Sequence, residues 1–143
     1  MIIRLNHEDQ LVSSNILKLS LAAYETEAKL LGLTEFPPLK ETQLDIETSM
    51  GTFWGQFQER RLVGVVEVEQ LNINRLVVCP NHFRQGVASQ LLGFAVNLYS
   101  NLSVTTATNN APATTLYRKL GFELQEQFVV DENIELSRFL LQT

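Results

Sequence analysis

The chain has one cysteine, Cys79, and only two histidines, His7 and His82. A single thiol cannot close an internal disulfide, and so few soft ligands do not suggest a zinc site, so the fold must stand on its core and no metal is expected. No apolar stretch approaches bilayer-spanning length, and the N-terminus Met1-Ile2-Ile3-Arg4-Leu5-Asn6-His7-Glu8-Asp9 lacks the apolar core of a secretory leader. A cytoplasmic chain without a membrane partner is therefore expected. Repeats, low-complexity tracts and Ser/Gly linkers are missing as well. With 143 residues, 45% hydrophobic and 19% charged, the composition is that of one globular domain over 1–143.

Acidic residues are also missing, locally. None occurs between Glu69 and Glu123, where Arg75, Arg84, Arg118 and Lys119 contribute four positive charges, leaving −9 for the remainder of a chain with net charge −5. A ligand with several phosphates would favour such a segment, and an apolar central sheet would produce the same gap by itself. The acidic total and the lack of a basic stripe interleaved with aromatics argue against nucleic acid.

Within that segment an apolar strand, Val77-Val78-Cys79, enters a short basic loop, Pro80-Asn81-His82-Phe83-Arg84-Gln85-Gly86, that opens an amphipathic helix. The first amides of a helix lack intrahelical partners and lie at the positive end of its dipole, so anions settle there. Gly86 removes a Cβ from the approach and Arg84 adds a cation. The fingerprints G-x-G-x-x-G and the Gly-Lys-Ser/Thr P-loop ending are both absent, so a different phosphate cradle is implied.

The run Phe83-Arg84-Gln85-Gly86-Val87-Ala88 resembles the acyl-coenzyme-A loop of the GNAT superfamily of N-acetyltransferases, Gln/Arg-x-x-Gly-x-Gly/Ala, with Phe83 departing at the first position. Downstream, Asn110-Ala111-Pro112-Ala113-Thr114-Thr115-Leu116-Tyr117-Arg118-Lys119-Leu120-Gly121-Phe122 is similar to that family's Asn-x-x-Ala-x-x-Leu-Tyr-x-x-x-Gly-Phe motif. Two matches in order carry more weight than either alone.

The expected elements are a strand at Ile2–Leu5, a helix started by Asn6 and Asp9 and running towards Gly32, and a short helix over Leu39–Thr48 after Pro37-Pro38. A hairpin over Thr52–Gln58 and Arg61–Glu69 turns at Glu59-Arg60, and a strand over Leu71–Cys79 follows. Then come a helix over Ser89–Tyr99, a strand over Leu102–Thr108, a helix over Ala111–Leu120 and strands over Glu123–Val130 and Ile134–Leu141. The order βααβββαβαββ predicts an α/β (α+β) fold with helices flanking a mixed central sheet, which the resemblance identifies as GNAT-like.

By the same resemblance, main-chain groups of Leu76, Val77 and Val78 hold the pantetheine arm of acetyl-CoA, and one N–H polarises the acetyl carbonyl. The loop from Arg84 through Gln85, Gly86, Val87 and Ala88 to Ser89 takes the pyrophosphate. Asn110 contacts the cofactor arm or simply caps a helix, and Tyr117 is the candidate general acid for the departing thiolate, where packing is the plainer reading. The usual base position falls on Asn72, which cannot take a proton; the alternatives are Glu67 or Glu69 acting through water, or a substrate that arrives partly deprotonated. Cys79 with His82 would make an acyl-accepting pair, but a cysteine before Pro80 is more often a small buried apolar group.

Acceptor selection is expected from Tyr24, Phe36, Phe53 and Trp54 as aromatic walls and Glu25, Glu27 and Glu35 as charge, although each is individually more typical of a core or a solvated helix face. The implied function is acetyl transfer from acetyl-CoA to a primary amine of a small molecule or peptide. The alternatives are a non-catalytic acyl-CoA-binding or regulatory module, which Asn72 keeps open, and a protein N-acetyltransferase. The apolar strand Ile134–Leu141 is either a sheet edge and candidate homodimer contact or a strand covered within the monomer.

Overall fold

The computed structural model describes residues 1–130 and 134–143. Strand β1 (Ile2–Leu5) leads into helix α1 (Gln10–Leu31). The Asp9 carboxylate accepts hydrogen bonds from the Leu11 and Val12 N–H groups at 2.9 and 3.1 Å, capping the helix start. Asn6 serves only as the preceding turn, its carbonyl accepting from Asp9 N–H. At the other end Gly32 adopts φ 69°, a conformation that favours glycine, and its N–H returns to the carbonyls of Ala28 and Lys29.

The single helix expected over 39–48 is two pieces. Pro37–Lys40 is one 3₁₀ turn, and α2 (Gln43–Glu47) starts afresh at Thr42, whose hydroxyl and the Asp45 carboxylate form a reciprocal capping box. Strands β2 (Thr52–Gln58) and β3 (Arg61–Glu69) turn at Glu59 and Arg60, both at positive φ, the geometry that matches strand twist. There follow β4 (Asn72–Val78), α3 (Val87–Leu98), β5 (Ser103–Ala107), α4 (Ala111–Lys119), β6 (Glu123–Val130) and β7 (Ile134–Leu140). The order is the expected βααβββαβαββ, with α3 beginning two residues early.

The seven strands make one sheet ordered β1-β2-β3-β4-β5-β7-β6. Every pairing is antiparallel except β4 with β5, which run parallel and pair only at Asn72↔Ser103 and Ile73↔Val104. Beyond Ile73 the sheet is split.

Of the two placements open to the C-terminal strand, the fold takes the covered one. Ile134–Leu140 is not an edge: β7 inserts between β5 and β6, and β6 is the outer strand. The patterns explain the exchange, since β7 buries Ile134, Ser137 and Phe139, whereas β6 carries Glu123, Gln125, Glu126 and Gln127 and is exposed almost throughout. Charged and amide side chains suit an unpaired edge.

Helices α1 and α2 cover one face over Leu5, Ile16, Leu19, Ile46, Phe53, Val65 and Val77. Helices α3 and α4 cover the other, over Val66, Val68, Ile73, Leu91, Val104, Tyr117 and Phe139. The register shifts between Glu67↔Arg75 and Val68↔Ile73, so Asn74 is an extra residue in β4. That bulge reverses the alternation and turns Arg75 towards α1.

Helix α3 sits hard on the sheet at Gly64, where an added Cβ would come within 2.7 Å of Val87 Cγ1 and 2.8 Å of Leu91 Cδ1. Gly64→Ala is therefore expected to cost about 1–3 kcal/mol by overpacking, read as a fall in the urea midpoint. An unchanged midpoint would show that the helix start is free to shift.

Candidate active site

The split between β4 and β5 is a slot lined by backbone. Cys79 N–H donates to Val63 C=O at 2.8 Å, and alternation in an antiparallel pair then makes Val77↔Val65 a hydrogen-bonded pair and Leu76↔Val66 and Val78↔Gly64 non-hydrogen-bonded pairs. The N–H and C=O groups of Leu76 and Val78 consequently face the slot, while those of Val77 are taken by β3. Of the three strand residues named from sequence, two turn their main chain to the gap.

Directly after β4, Pro80–His82 makes a 3₁₀ turn, and the chain passes through positive φ at Arg84 (64°) and Gly86 (81°) into α3. The first bond of α3 runs from Gln90 N–H to Gly86 C=O at 3.0 Å, which leaves the amides of Val87, Ala88 and Ser89 without intrahelical acceptors. Arg84, Gln85, Gly86 and Ser89 are exposed, Ala88 is half-buried, and the Val87 side chain anchors the turn in the core. A Cβ on Gly86 would meet nothing within 4 Å, so the space over these amides is open. Residues 84–86 thus lead into a helix start with three free amide donors, an arrangement suited to a diphosphate.

Helix α4 follows β5 on the far side of the slot. The Asn110 side-chain oxygen accepts from Ala113 N–H at 3.2 Å, the N-cap, and Pro112 lies in the first turn. Tyr117 is 5% exposed and stacks against Phe122 and Phe139. Burial pushes its phenol well above its ordinary pKa, and the Glu27 charge adds to the rise, so the group stays protonated across the working range. Among the described residues its hydroxyl has no hydrogen-bond partner.

Glu67 and Arg75 have a different setting from the one their sequence positions suggested. Arg75 Nε donates to Glu67 Oε1 at 3.0 Å, Nη1 donates to Ser20 Oγ at 2.8 Å and Glu41 Oε1 at 2.7 Å, and Nη2 donates to Glu41 Oε2 at 2.6 Å. The guanidinium also lies over the Phe53 ring, 5.4 Å from its centroid. Burial works to lower its pKa, and the bonds and charge of Glu41, with Tyr24 and Glu67, outweigh it and hold it above its ordinary value. The remaining Glu67 oxygen accepts from the Ser49 hydroxyl, so this carboxylate is fully engaged. Arg75 therefore adds no positive charge to the phosphate-facing surface. Glu41, which was not singled out from sequence, is 34 residues away, and no local pattern signals the pairing.

Glu69 accepts from Asn74 Nδ2 at 2.9 Å, Asn74 Oδ1 accepts from Asn72 Nδ2 at 2.7 Å, and Ser103 donates to Asn72 Oδ1 at 2.9 Å. This chain sits at the paired end of β4, where the slot has not opened. Cys79 packs against the α1-side core and meets His82 only through the backbone, His82 N–H donating to Cys79 C=O. Among the described residues no cluster of three His, Cys, Asp or Glu could hold a metal.

Of the aromatic walls, Phe53 is core, and Trp54 packs on Phe94 and donates to the Tyr99 hydroxyl on the α3 face. Tyr24 and Phe36 meet edge to face at 6.4 Å beside the α1–α2 loop, and burial pushes the Tyr24 phenol up to about 12 against the pull of Arg75. A cavity of about 590 Å³ lies along this loop, between Gly32–Lys40 and Ile134. Glu25 and Glu35 are exposed partners of Lys29 and Lys40.

Residues 49–124 match the family model described as an acetyltransferase (GNAT) domain. The chain is 34% identical over 144 residues to the UPF0157 protein YqkA of Bacillus subtilis (strain 168), covering 96% of this chain and 42% of that protein. It is 35% identical over 81 residues to streptothricin acetyltransferase of Escherichia coli, covering 50% of this chain and 47% of that protein. The chain thus spans less than half the length of these curated relatives. In three dimensions it is similar to the ribosomal-protein-S18-alanine N-acetyltransferase of Escherichia coli (TM-score 0.75, 15% identity, covering 99% of this chain and 92% of that one). It is also similar to the PaiA N-acetyltransferase of Thermoplasma acidophilum in complex with coenzyme A (TM-score 0.75, 15% identity, covering 96% of each). A two-point motif, a split mixed sheet and a family model spanning the second motif's helix agree: the chain belongs to the GNAT acetyltransferase family.

Proposed function

We propose that this chain, as one domain over 1–143, transfers the acetyl group of acetyl-CoA to a primary amine by direct attack. The observation that carries this reading is the slot that opens between β4 and β5 with the free amide donors of the α3 start at its mouth. The pyrophosphate lies on the amides of Val87–Ser89 beside Arg84, and the pantetheine arm pairs with Leu76 and Val78 as an added strand would. An N–H in the slot steadies the charge that develops on the carbonyl oxygen. Tyr117 gives its proton to the departing sulfur, a role suited to a phenol that stays neutral.

The acceptor enters along the α1–α2 loop, and the acidic remainder of the chain favours a cationic amine, whether of a small molecule such as a polyamine or of a peptide terminus. A cytoplasmic setting belongs to the same proposal; among the described residues no helix is long and apolar enough to cross a membrane.

Isothermal titration with acetyl-CoA, beside ATP and NAD, tests the reading, and selective binding of acetyl-CoA is expected. Gly86→Val forces a branched side chain into φ 81°, a strain of about 1–2 kcal/mol, and should weaken that binding roughly tenfold or more. Equal affinity for all three ligands, or an indifferent Gly86→Val, would refute the cradle. The engaged state of Glu67 and the amide at Asn72 favour one second reading, an acyl-CoA-binding module without turnover; thiol release with any primary amine excludes it.

A further inference from the structure

The Arg75 guanidinium is already balanced without the loop between α1 and α2. Glu67 supplies one carboxylate, 3.0 Å from Nε, and Ser20 of α1 accepts a further N–H at 2.8 Å. Glu41 is a second carboxylate on the same cation, gripping it through both oxygens at 2.6 and 2.7 Å with its side chain 18% exposed. Taking a second anion out of water to meet a charge already paired gains little stability, because desolvation offsets the attraction. A two-pronged pair does fix geometry, since the planar fork holds direction as well as distance.

What Glu41 brings to Arg75 is a segment of chain. It directly follows the 3₁₀ turn Pro37–Lys40, and its N–H donates to Pro38 C=O at 3.2 Å. Just before that turn Phe36 is buried, meets Tyr24 of α1 edge to face, and accepts from Leu39 N–H at 2.9 Å through its C=O. The stretch 36–41 is thus a stiff bracket, with φ fixed at two successive prolines and tied down at Phe36 and Glu41. Pro37 and Lys40 of this bracket wall the cavity of about 590 Å³, together with Gly32–Glu35 and Ile134.

At the sheet end of the pair, Arg75 owes its direction to the Asn74 bulge and immediately precedes Leu76, whose main chain faces the slot. Ser20 and Glu41 bring α1 and the exit of the loop to one guanidinium, so the distance from cavity wall to slot is set at a single residue of β4.

We propose that Glu41 and Arg75 are positioning residues for the acceptor: their two-pronged pair fixes the cavity wall Pro37–Lys40 against β4, so that an amine held there meets the acyl carbonyl in attacking geometry. The inference rests on the acetyl-transfer reading. Neither side chain touches the reacting atoms. Their effect is on placement, where a displacement of about 1 Å costs roughly a hundredfold in rate.

Glu41→Gln isolates the pair, because the amide keeps the size of the side chain and one accepting oxygen but loses the charge and one prong, while Glu67 and Ser20 stay on Arg75. Hydrogen exchange of the whole chain, read by NMR amide by amide, should show positions 39 and 41 exchanging roughly tenfold faster in this variant. The Cys79 amide, bonded to Val63 C=O at 2.8 Å, should stay within about twofold of the wild type. Equal acceleration at Cys79 would mark a general loss of stability, and no acceleration at 39 and 41 would mean that the loop stands without the pair; either overturns the proposal.

With spermidine as acceptor, Glu41→Gln should lower kcat/KM roughly tenfold to a hundredfold, with acetyl-CoA affinity within about twofold of the wild type. An unchanged kcat/KM, or a matching loss of acetyl-CoA affinity, overturns the role. Failure of the acetyl-transfer reading looks different, because a wild-type chain that ignores acetyl-CoA would still show the loop released in Glu41→Gln.

Discussion

Arg75→Ala is expected to remove about 3–5 kcal/mol of stability, because it strands two carboxylates that the fold has taken out of water. The side chains of Arg75 and Glu67 are 5% and 4% exposed and that of Glu41 18%, so solvent cannot take over the missing hydrogen bonds. For a domain with 5–15 kcal/mol in hand, a loss of that order leaves little or no margin. The measurement is a urea transition with the slope checked for two-state behaviour. Adding Glu41→Gln and Glu67→Gln to Arg75→Ala should recover much of the loss, since the penalty lies in uncompensated charge more than in the ion pairs themselves. A loss below about 1 kcal/mol for Arg75→Ala would mean that water reaches the network, and would contradict the burial argued above.

Tyr117→Phe is the second large effect, and it should fall on rate alone. Loss of a positioned proton donor is expected to lower kcat by roughly 10²–10³-fold, with acetyl-CoA affinity little changed. Stability should hold, because the hydroxyl removed makes no hydrogen bond among the described residues while the ring keeps its contacts with Phe122 and Phe139. Because burial raises the phenol's pKa, no decline in kcat from its ionisation is expected until well above pH 10. A variant that keeps wild-type kcat returns Tyr117 to simple packing. One that loses kcat and Tm together points to the same conclusion.

Most of the architecture was legible because its signals are local. Gly32 and Gly121 end helices with φ 69° and 96°, Pro112 opens one, and the residues between two alternating runs at Glu59-Arg60 turn as a tight hairpin should. The turn from Arg84 into α3 could be read for the same reason, since its residues lie consecutively. What was not legible depends on distant partners. Nothing near Arg75 announces that a one-residue bulge at Asn74 will aim it at α1, or that Glu41 will meet it there. The placing of β7 inside β6 is signalled by the polar makeup of Glu123–Gln127, while the apolar content of Ile134–Leu140 by itself leaves both placements open.

The sheet's single parallel contact has an architectural consequence. Two rungs, at Asn72↔Ser103 and Ile73↔Val104, are all the backbone that fastens the four-stranded block β1–β4 to the three-stranded block β5–β7. On the α3 side these blocks share one uninterrupted core, from Val66 and Val68 through Ile73 to Val104 and Phe139. On the α1 side the core stops at Val77 and does not cross. The molecule is thus a pair of leaves sewn along one seam and glued on the back only. The gap between the leaves is thus backed by packed side chains on the α3 side and faces α1 and its loop on the other.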